Sequence, residues 1–311
     1  MATAIRFEMP TELANSGKLP SPPGVVMEIL RLVNSEDSTV EDLGKVIEAD
    51  PVLAARLLGT VNSSLYTLVR EITAIEQAAV LMGFRAIRTL ALSVSVTDDM
   101  PDAQPCAGFD TEMYWRHSLM TAVLGKRLAA EVNKRVADDV FSVGLICNLG
   151  RLIASRCIPD RYSAALTASP WPDSTMETEA LGYCTAQVSA ALLHQWGLPT
   201  GLCLAVRHIG DVDGLPEDAE KTVVETTKIV SAVDVAVDHL LRAEDDDAIH
   251  KVADDLNETF DLGRRVVHDV LDEASTQMGA VGHLVSRNLG GDINPAELIT
   301  KAQALLAEAS N

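Results

Sequence analysis

The side chains with the greatest potential for chemistry are a few polar residues set in apolar surroundings. Cys147-Asn148 lies at the centre of residues 138–157, whose apolar side chains recur at three- and four-residue steps and predict one largely buried helix. His117 lies on a second amphipathic stretch, and Asp234 interrupts an apolar one, where a carboxylate must be paired or face a cavity. Imidazole, thiol and carboxylate groups are the ligands and acid–base groups of many metal and hydrolytic sites. The sequence therefore offers the components of such a site.

Each of these residues also has an ordinary structural interpretation. A histidine such as His117 can be hydrogen-bonded in the core, Cys147 can act as a small apolar side chain, and Asn148 can satisfy buried backbone groups. The sequence has no nucleophile elbow to support Ser-His-Asp or Cys-His catalysis, and neither common glycine-rich phosphate loop is present. The other histidines form no ligand pattern and are expected at the surface or in packing roles: His194, His208, His239, His250, His268 and His283.

Composition and charge narrow the class of protein. The 311 residues are 47% apolar but only 4% aromatic, which favours a helix-rich core of Ala, Leu, Val and Ile. A net charge of −20 repels phosphate backbones and anionic lipid, so neither nucleic acid nor a membrane surface is expected as a partner. Five cysteines without a Cys-x-x-Cys pair, and no visible signal peptide, favour reduced thiols in a cytoplasmic protein.

Start and stop signals divide the second half of the chain into helices. Gly144 and Gly150, inside the 138–157 helix, predict close packing, because glycine costs about 1 kcal/mol against alanine at such positions. The other predicted helices run from an Asp110 cap to about Val132, from a Ser174–Glu177 capping box to Trp196-Gly197, from Pro199 to His208, from Val223 to Leu241, from Ala248 to Asn257 and from Leu262 to Arg287.

The first half predicts a separate helical module. Residues 1–18 carry little pattern and are expected to be a loose lead-in. One capping box, Ser38–Glu41, opens a helix predicted to run through Ile47, and another opens a helix at Thr73–Glu76. The predicted division of the chain is a lead-in at 1–18, an N-terminal helical module at 19–98, a linker at 99–109, a helical bundle at 110–241 and a helical extension at 242–311, whose last helix is opened by Asn294-Pro-Ala-Glu297.

The order of these motifs resembles the HDOD family, bacterial signalling domains related to the HD metal-dependent phosphohydrolases. The resemblance rests on Leu19-Pro-Ser-Pro-Pro, Ile47-Glu-Ala-Asp-Pro51, Val61-Asn-Ser-Ser, Leu81-Met-Gly-Phe-Arg, Trp115-Arg-His117-Ser118, Gly144-Leu-Ile-Cys-Asn-Leu-Gly150 and Leu193-His-Gln-Trp-Gly-Leu-Pro199. It implies an all-α protein in which an N-terminal helical module packs on a degenerate HD-like helical bundle, with extra C-terminal helices.

The resemblance also gathers the polar residues into one relic HD pocket, formed by His117, Cys147, Asn148, Thr185 and Asp234. The first HD ligand histidine falls on His117, the central His-Asp pair on Cys147-Asn148, the next histidine on Thr185, a later His-His pair on Ile209-Gly210 and the final acid on Asp234. Only two expected ligands survive, too few to hold a hard divalent ion or to activate water for phosphate-ester hydrolysis. No catalytic residue, bound metal or cofactor is therefore expected.

The resemblance favours a non-enzymatic bacterial regulatory domain. Such a domain acts through contacts with other signalling proteins or through a small ligand in the relic HD pocket. Two alternatives stay open: a metal-dependent phosphohydrolase of the HD superfamily with atypical ligands, and a purely structural adaptor whose pocket is collapsed. A zinc ion at His117, Cys147 and Cys184 is a minor alternative, since one imidazole and two thiolates suit zinc, with Asp234 or water completing a tetrahedron.

Overall fold

The computed structural model describes residues 6–20, 39–48, 105–242 and 246–271, together with Glu28 and Leu32. Regular structure in these ranges is helical and includes no strand, so the all-α prediction is confirmed. The chain divides into two compact units, one formed by Met1–Leu19 and Pro101–Val267, the other by Pro20–Met100 and His268–Asn311. The domain limits given above stay a prediction. Within the described ranges, no single helix has both the length and the apolar character needed to cross a membrane.

The described helices define the element order. They are α1 (Thr11–Ala14), α2 (Val40–Glu48), α3 (Thr111–Asn133), α4 (Ala137–Ile146), α5 (Leu149–Cys157), α6 (Pro159–Leu166), α7 (Ser174–Leu181), α8 (Thr185–Gln195), α9 (Thr200–Arg207), α10 (Lys221–Arg242) and α11 (Asp246–Phe260), followed by a helical stretch at 264–271. The predictions for α9, α10 and α11 are confirmed to within a few residues. The part of the predicted 262–287 helix beyond 271 lies outside the described residues.

Helix α2 belongs to the second unit and confirms the helix predicted through Ile47. Its cap is displaced by one residue: Thr39 Oγ1 accepts from the Asp42 amide at 3.2 Å, and Asp42 Oδ2 accepts from the Thr39 amide at 3.1 Å. The predicted box at Ser38–Glu41 is therefore wrong in register. The other helices predicted between residues 19 and 98, and the last one from Asn294, lie outside the described residues.

Helix α3 provides the surface against which α4 and α10 pack. It begins as predicted, because the Asp110 carboxylate accepts from the Met113 amide at 3.0 Å and satisfies a free N–H of the first turn. Gly144 of α4 lies directly on α3: a side-chain Cβ there would lie 2.9 Å from the backbone nitrogen of Ala122. The close packing predicted at this glycine is confirmed.

The single helix predicted over 138–157 is wrong, because the chain breaks into α4 and α5 at Cys147-Asn148. Ser189 of α8 compensates for the break. Its hydroxyl donates to the Cys147 carbonyl at 2.7 Å and accepts from the Gly150 amide at 2.7 Å. A Cβ at Gly150 would lie only 2.0 Å from the Thr185 carbonyl oxygen, so glycine is what allows α8 to approach this closely.

The single helix predicted from Ser174 to Trp196-Gly197 is also wrong. Gly182, with φ +87°, ends α7 in a left-handed cap, and α8 begins separately at Thr185. The N-cap of α7 is Asp173, whose carboxylate accepts from the Met176 amide at 2.8 Å. Glu177 is consequently free of the capping role and is buried.

The described part of the predicted loose lead-in, residues 6–18, is attached to the first unit. Leu13 is fully buried, and the Glu12 carboxylate accepts hydrogen bonds from Arg161 and from the Tyr183 hydroxyl. The Phe7 ring stacks on His194 with centroids 4.6 Å apart. One buried leucine and three side-chain contacts hold residues 6–18 against the first unit. The irregular sequence of this segment did not predict these contacts.

Candidate functional site

A cavity of about 370 Å³ lies among α5, α7, α8 and α10. Its walls include six positions on which the HD ligand pattern falls: Cys147, Asn148, Thr185, Ile209, Gly210 and Asp234. The seventh, His117, is fully buried on α3 and contacts Asn148 and Asp234. The structure thus brings the residues of the relic HD pocket into one place, although they come from four separate segments of the chain.

The imidazole of His117 is held on its Nδ1 side. Nδ1 lies 3.4 Å from Asn148 Nδ2, 3.3 Å from the Thr121 hydroxyl and 3.6 Å from Asp234 Oδ1. The ring stacks on Trp171, with centroids 4.1 Å apart and planes inclined by 18°. Nε2 is buried and has no hydrogen-bond partner in the described part of the chain.

The protonation state of His117 follows from this burial. Burial lowers its pKa to about 4, the nearby carboxylate of Asp234 opposes the shift, and the guanidinium groups of Arg151 and Arg242 add to it. The imidazole is therefore neutral at neutral pH.

Asn148 connects an anion to a cation. Its amide nitrogen donates to Asp234 Oδ1 at 3.2 Å, and its amide oxygen accepts from Arg151 Nε at 3.1 Å. Both ends of the amide are thus used within the site. An amide can bridge groups of opposite charge in this way because it is at once a donor and an acceptor, which the aspartate of the HD pattern is not.

Arg151 and Glu177 form an ion pair that the sequence analysis missed. Arg151 Nη1 lies 2.8 Å from Glu177 Oε1, and Nη2 donates to the Pro172 carbonyl at 2.8 Å. The guanidinium also lies over the Trp171 ring, 4.4 Å from its centroid. Burial is the largest single effect and disfavours the charge on Arg151, but Glu177, Tyr162 and Asp234 together outweigh it and raise the pKa of the guanidinium, which stays charged.

Thr185, a predicted pocket residue, orients Glu177. Its backbone N–H donates to Glu177 Oε2 at 2.7 Å, and its hydroxyl donates to the same oxygen at 2.8 Å. Burial raises the pKa of Glu177, whereas Arg151 and these two bonds counteract the rise. The carboxylate is therefore satisfied by a cation and two donors, as a buried charge requires.

The two cysteines of the zinc alternative also line the cavity. The Cys147 thiol donates to the Gly144 carbonyl at 3.3 Å, and Cys184 is the N-cap residue of α8. Burial raises the pKa of both thiols, which disfavours the thiolates that zinc requires. Over the described ranges, no group of three or more His, Cys, Asp and Glu side chains is placed to hold a metal ion.

The residues present do not fit the divalent metal of the HD phosphohydrolases. A buried guanidinium, that of Arg151, already contributes positive charge beside the cavity. At position 148 the HD pattern has a second carboxylate, but here the amide nitrogen of Asn148 donates a hydrogen bond to Asp234. Ile209 and Gly210 supply no side-chain donor to a metal. No catalytic step through a metal follows from this arrangement.

A signal for the missed pair is present in the sequence. Arg151 lies between Gly150 and Leu152 in a largely apolar stretch, and it interrupts that stretch as Asp234 interrupts another. The spacing of Glu177 from Ser174 predicts only a capping role for this residue. A charged residue inside a buried stretch implies a buried partner, but the pattern does not say which one.

Comparison with protein families identifies the class. Residues 19–212 match the model of the HDOD domain, and the chain belongs to the HDOD family. An uncharacterized protein of Treponema pallidum is 23% identical over 210 residues, which are 64% of this chain and 39% of that protein. The chain thus matches well under half the length of this curated relative.

Three solved structures have the same fold. A protein of Shewanella amazonensis provisionally named a phosphohydrolase has a TM-score of 0.64 and 22% identity, with 96% of this chain and 100% of that chain covered. A provisionally named signal transduction protein of Marinobacter aquaeolei has a TM-score of 0.63 and 22% identity, covering 91% and 62%. An HDOD domain protein of Geobacter sulfurreducens with unknown function has a TM-score of 0.63 and 19% identity, covering 87% and 97%. Identities this low extend the likeness to the fold alone.

Proposed function

We propose that the chain is a non-enzymatic signalling domain that responds to a small ligand in the relic HD pocket and passes its state to other signalling proteins. The observation that carries this proposal is the network Asp234–Asn148–Arg151–Glu177 around the cavity. The network consists of a guanidinium, an amide and two carboxylates. A hydrolytic HD site instead needs a divalent cation held by carboxylate and imidazole ligands.

The positive charge of Arg151 disfavours the binding of a divalent metal ion in the cavity. A fixed guanidinium repels an incoming divalent ion, and this repulsion is stronger in a buried site than in water. The remaining carboxylate, Asp234, already accepts from Asn148. In an HD phosphohydrolase the metal ion polarises the phosphoryl group and generates hydroxide. His117 is poorly suited to activate water in its place, because its imidazole is neutral, buried and stacked on Trp171.

The cavity favours a ligand-responsive domain over a purely structural adaptor. An adaptor with a collapsed pocket would fill this space with side chains, whereas a volume of about 370 Å³ stays open. Ligand pockets commonly have volumes of about 300–1,000 Å³. The space is therefore large enough for a small organic molecule.

The test is an assay for phosphohydrolase activity with added Mn²⁺, using p-nitrophenyl phosphate, bis-p-nitrophenyl phosphate and cyclic dinucleotides as substrates. We expect no turnover above that of buffer with Mn²⁺ alone. Manganese-dependent turnover that disappears in His117→Ala and persists in an exposed control, His250→Ala, would instead establish the phosphohydrolase alternative.

A further inference from the structure

Residues 6–18 form a strap across the surface of the first unit. The structure describes all of these residues, and among them Leu13 alone is buried. Residues 6 and 8–11 form one wall of a cavity of about 1430 Å³, so this part of the strap stands away from α8 and α9 on the other side. The strap is therefore attached through a few side chains and lacks a continuous buried face.

Two further side chains of the strap form anchors at the surface. The Phe7 ring stacks on the exposed His194 of α8, with centroids 4.6 Å apart. The Glu12 carboxylate accepts hydrogen bonds from Arg161 of α6, whose side chain is 49% accessible, and from the Tyr183 hydroxyl. Exposed ion pairs contribute little to stability, because water competes for both charges. Displacement of the strap thus costs the burial of one leucine and a few surface contacts.

The seat of the strap adjoins the relic HD pocket through the turn between α7 and α8. Arg161 also donates to the carbonyl of Leu181, the last residue of α7, at 2.9 Å. Tyr183 lies in the turn itself and directly precedes Cys184 and Thr185, which line the pocket. A ligand that shifts this turn therefore also shifts the two groups that hold the carboxylate of the strap.

We propose that the strap blocks, within its own chain, a docking site for a segment of a signalling partner. The strap itself shows the chemistry that fits this site: an aromatic ring, a glutamate and a leucine at the spacing of Phe7, Glu12 and Leu13. In the complex the glutamate of the partner pairs with Arg161, and its leucine fills the seat that Leu13 leaves. The inference rests on the proposed function, for which it names the surface that contacts other signalling proteins.

The experiment measures, by fluorescence anisotropy, how a fluorescein-labelled peptide with the sequence of residues 6–18 binds to the complete 311-residue chain. In the wild type the strap competes with the peptide, since the apparent affinity falls with the fraction of molecules whose site is open. Glu12→Lys places a cation beside Arg161 and displaces the strap, so this variant should bind the peptide about tenfold or more tightly than the wild type. Leu13→Asp removes the buried anchor and should give the same gain.

The matched control is Glu8→Lys, the same change within the strap at a residue that pairs, in the described part of the chain, with Arg6 alone. It should leave the peptide affinity at the wild-type value. Both lysine variants should unfold at the same urea concentration, because neither residue is part of the core.

A variant on the other side of the contact locates the binding. Arg161→Gln, combined with Glu12→Lys, should cancel the gain, because the carboxylate of the peptide then loses its cation. A peptide that carries Glu12→Gln should likewise bind the Glu12→Lys protein about tenfold more weakly than the original peptide.

Failure of this inference is distinct from failure of the proposed function. Wild-type peptide affinity in both Glu12→Lys and Leu13→Asp overturns the docking site but not the signalling role. Self-association of the wild type that Glu12→Lys abolishes assigns the site to the strap of a second copy and overturns the partner class. Manganese-dependent turnover in the assay above overturns the proposed function itself.

Discussion

Arg151 and Glu177 form a buried ion pair in which Nη1 and Oε1 lie 2.8 Å apart, with each residue at most 6% exposed. The pair joins α5 to α7, and through Glu177 it also holds Thr185 at the start of α8. Three helices around the cavity are therefore fixed by one pair of charges. Such a pair contributes little over an apolar contact, but the loss of one partner is costly, because the other charge is left buried.

The first prediction concerns this pair. Arg151→Met should lower the free energy of unfolding by about 3–5 kcal/mol, since Glu177 is left without its cation. The double variant with Glu177→Gln should recover part of the loss. The control is Arg264→Gln, which breaks an exposed ion pair with Asp254 and should cost at most about 1 kcal/mol in urea denaturation. A loss in Arg151→Met as small as in the control would contradict the role assigned to the pair.

A second prediction concerns the contact between α5 and α8. Gly150→Ala should destabilise the protein by about 1–3 kcal/mol, because the new Cβ would lie 2.0 Å from the Thr185 carbonyl oxygen and the helices must separate. Gly182→Asn provides the comparison: this glycine has φ +87° but nothing within 4 Å of an added Cβ, and asparagine tolerates that backbone conformation. Equal unfolding midpoints for the two variants would show that α8 is not held so closely.

The third prediction is a pH dependence. In the folded state the pKa of His117 is lowered to about 4 by burial, below the 6.5 of an accessible histidine. Between these two pH values His117 is protonated in the unfolded chain but not in the folded chain. The free energy of unfolding therefore falls as the pH drops from about 6.5 toward 4. Between pH 7 and pH 5 this amounts to about 2 kcal/mol.

His117→Gln, which cannot titrate, should flatten that part of the stability profile measured by urea denaturation. His250→Gln, at an exposed position of α11, should leave the slope as it is in the wild type. If the slope between pH 7 and pH 5 is the same in His117→Gln as in the wild type, another group is responsible for it.

The fourth prediction tests why asparagine occupies position 148. Asn148→Asp turns the donor to Asp234 Oδ1 into a second carboxylate and should cost about 1–3 kcal/mol at pH 7. The two facing carboxylates have raised pKa values in the folded state, so the folded form binds an extra proton, and stability relative to the wild type recovers as the pH falls. Asn148→Ala loses the same donor without adding charge and should show no such recovery. Recovery in both variants would contradict the explanation.

Local signals predicted the helices that are fixed by local contacts. The Asp110 cap of α3 and the glycine contact at Gly144 both follow from residue type and spacing. The break between α4 and α5 does not, because the hydroxyl that replaces the lost helical bonds belongs to Ser189, 42 residues from Cys147 and 39 from Gly150. An apolar period of three to four residues continues unchanged across such a break and gives no warning of it.

In the site, too, single residues could be predicted from the sequence, but the pairing of residues that are remote in sequence could not. The resemblance named His117, Asn148 and Asp234, which the fold brings together. It could not name the pairing of Arg151 with Glu177, because the choice of partner depends on how α5 and α7 pack. Glu177 illustrates the reason: its spacing from Ser174 fits a cap, but Asp173 takes the cap and leaves the carboxylate to the core.

All five cysteines are buried free thiols, and this makes them suitable as chemical probes of local opening. Burial raises the pKa of the thiols at Cys106, Cys147, Cys157, Cys184 and Cys203, so at neutral pH they are both protonated and shielded. An alkylating reagent such as iodoacetamide can then react only when the surrounding structure opens. Mass spectrometry of the alkylated positions would give an opening rate for each thiol separately, so the native chain carries its own set of internal probes of local unfolding, with Cys147 reporting on the wall of the cavity.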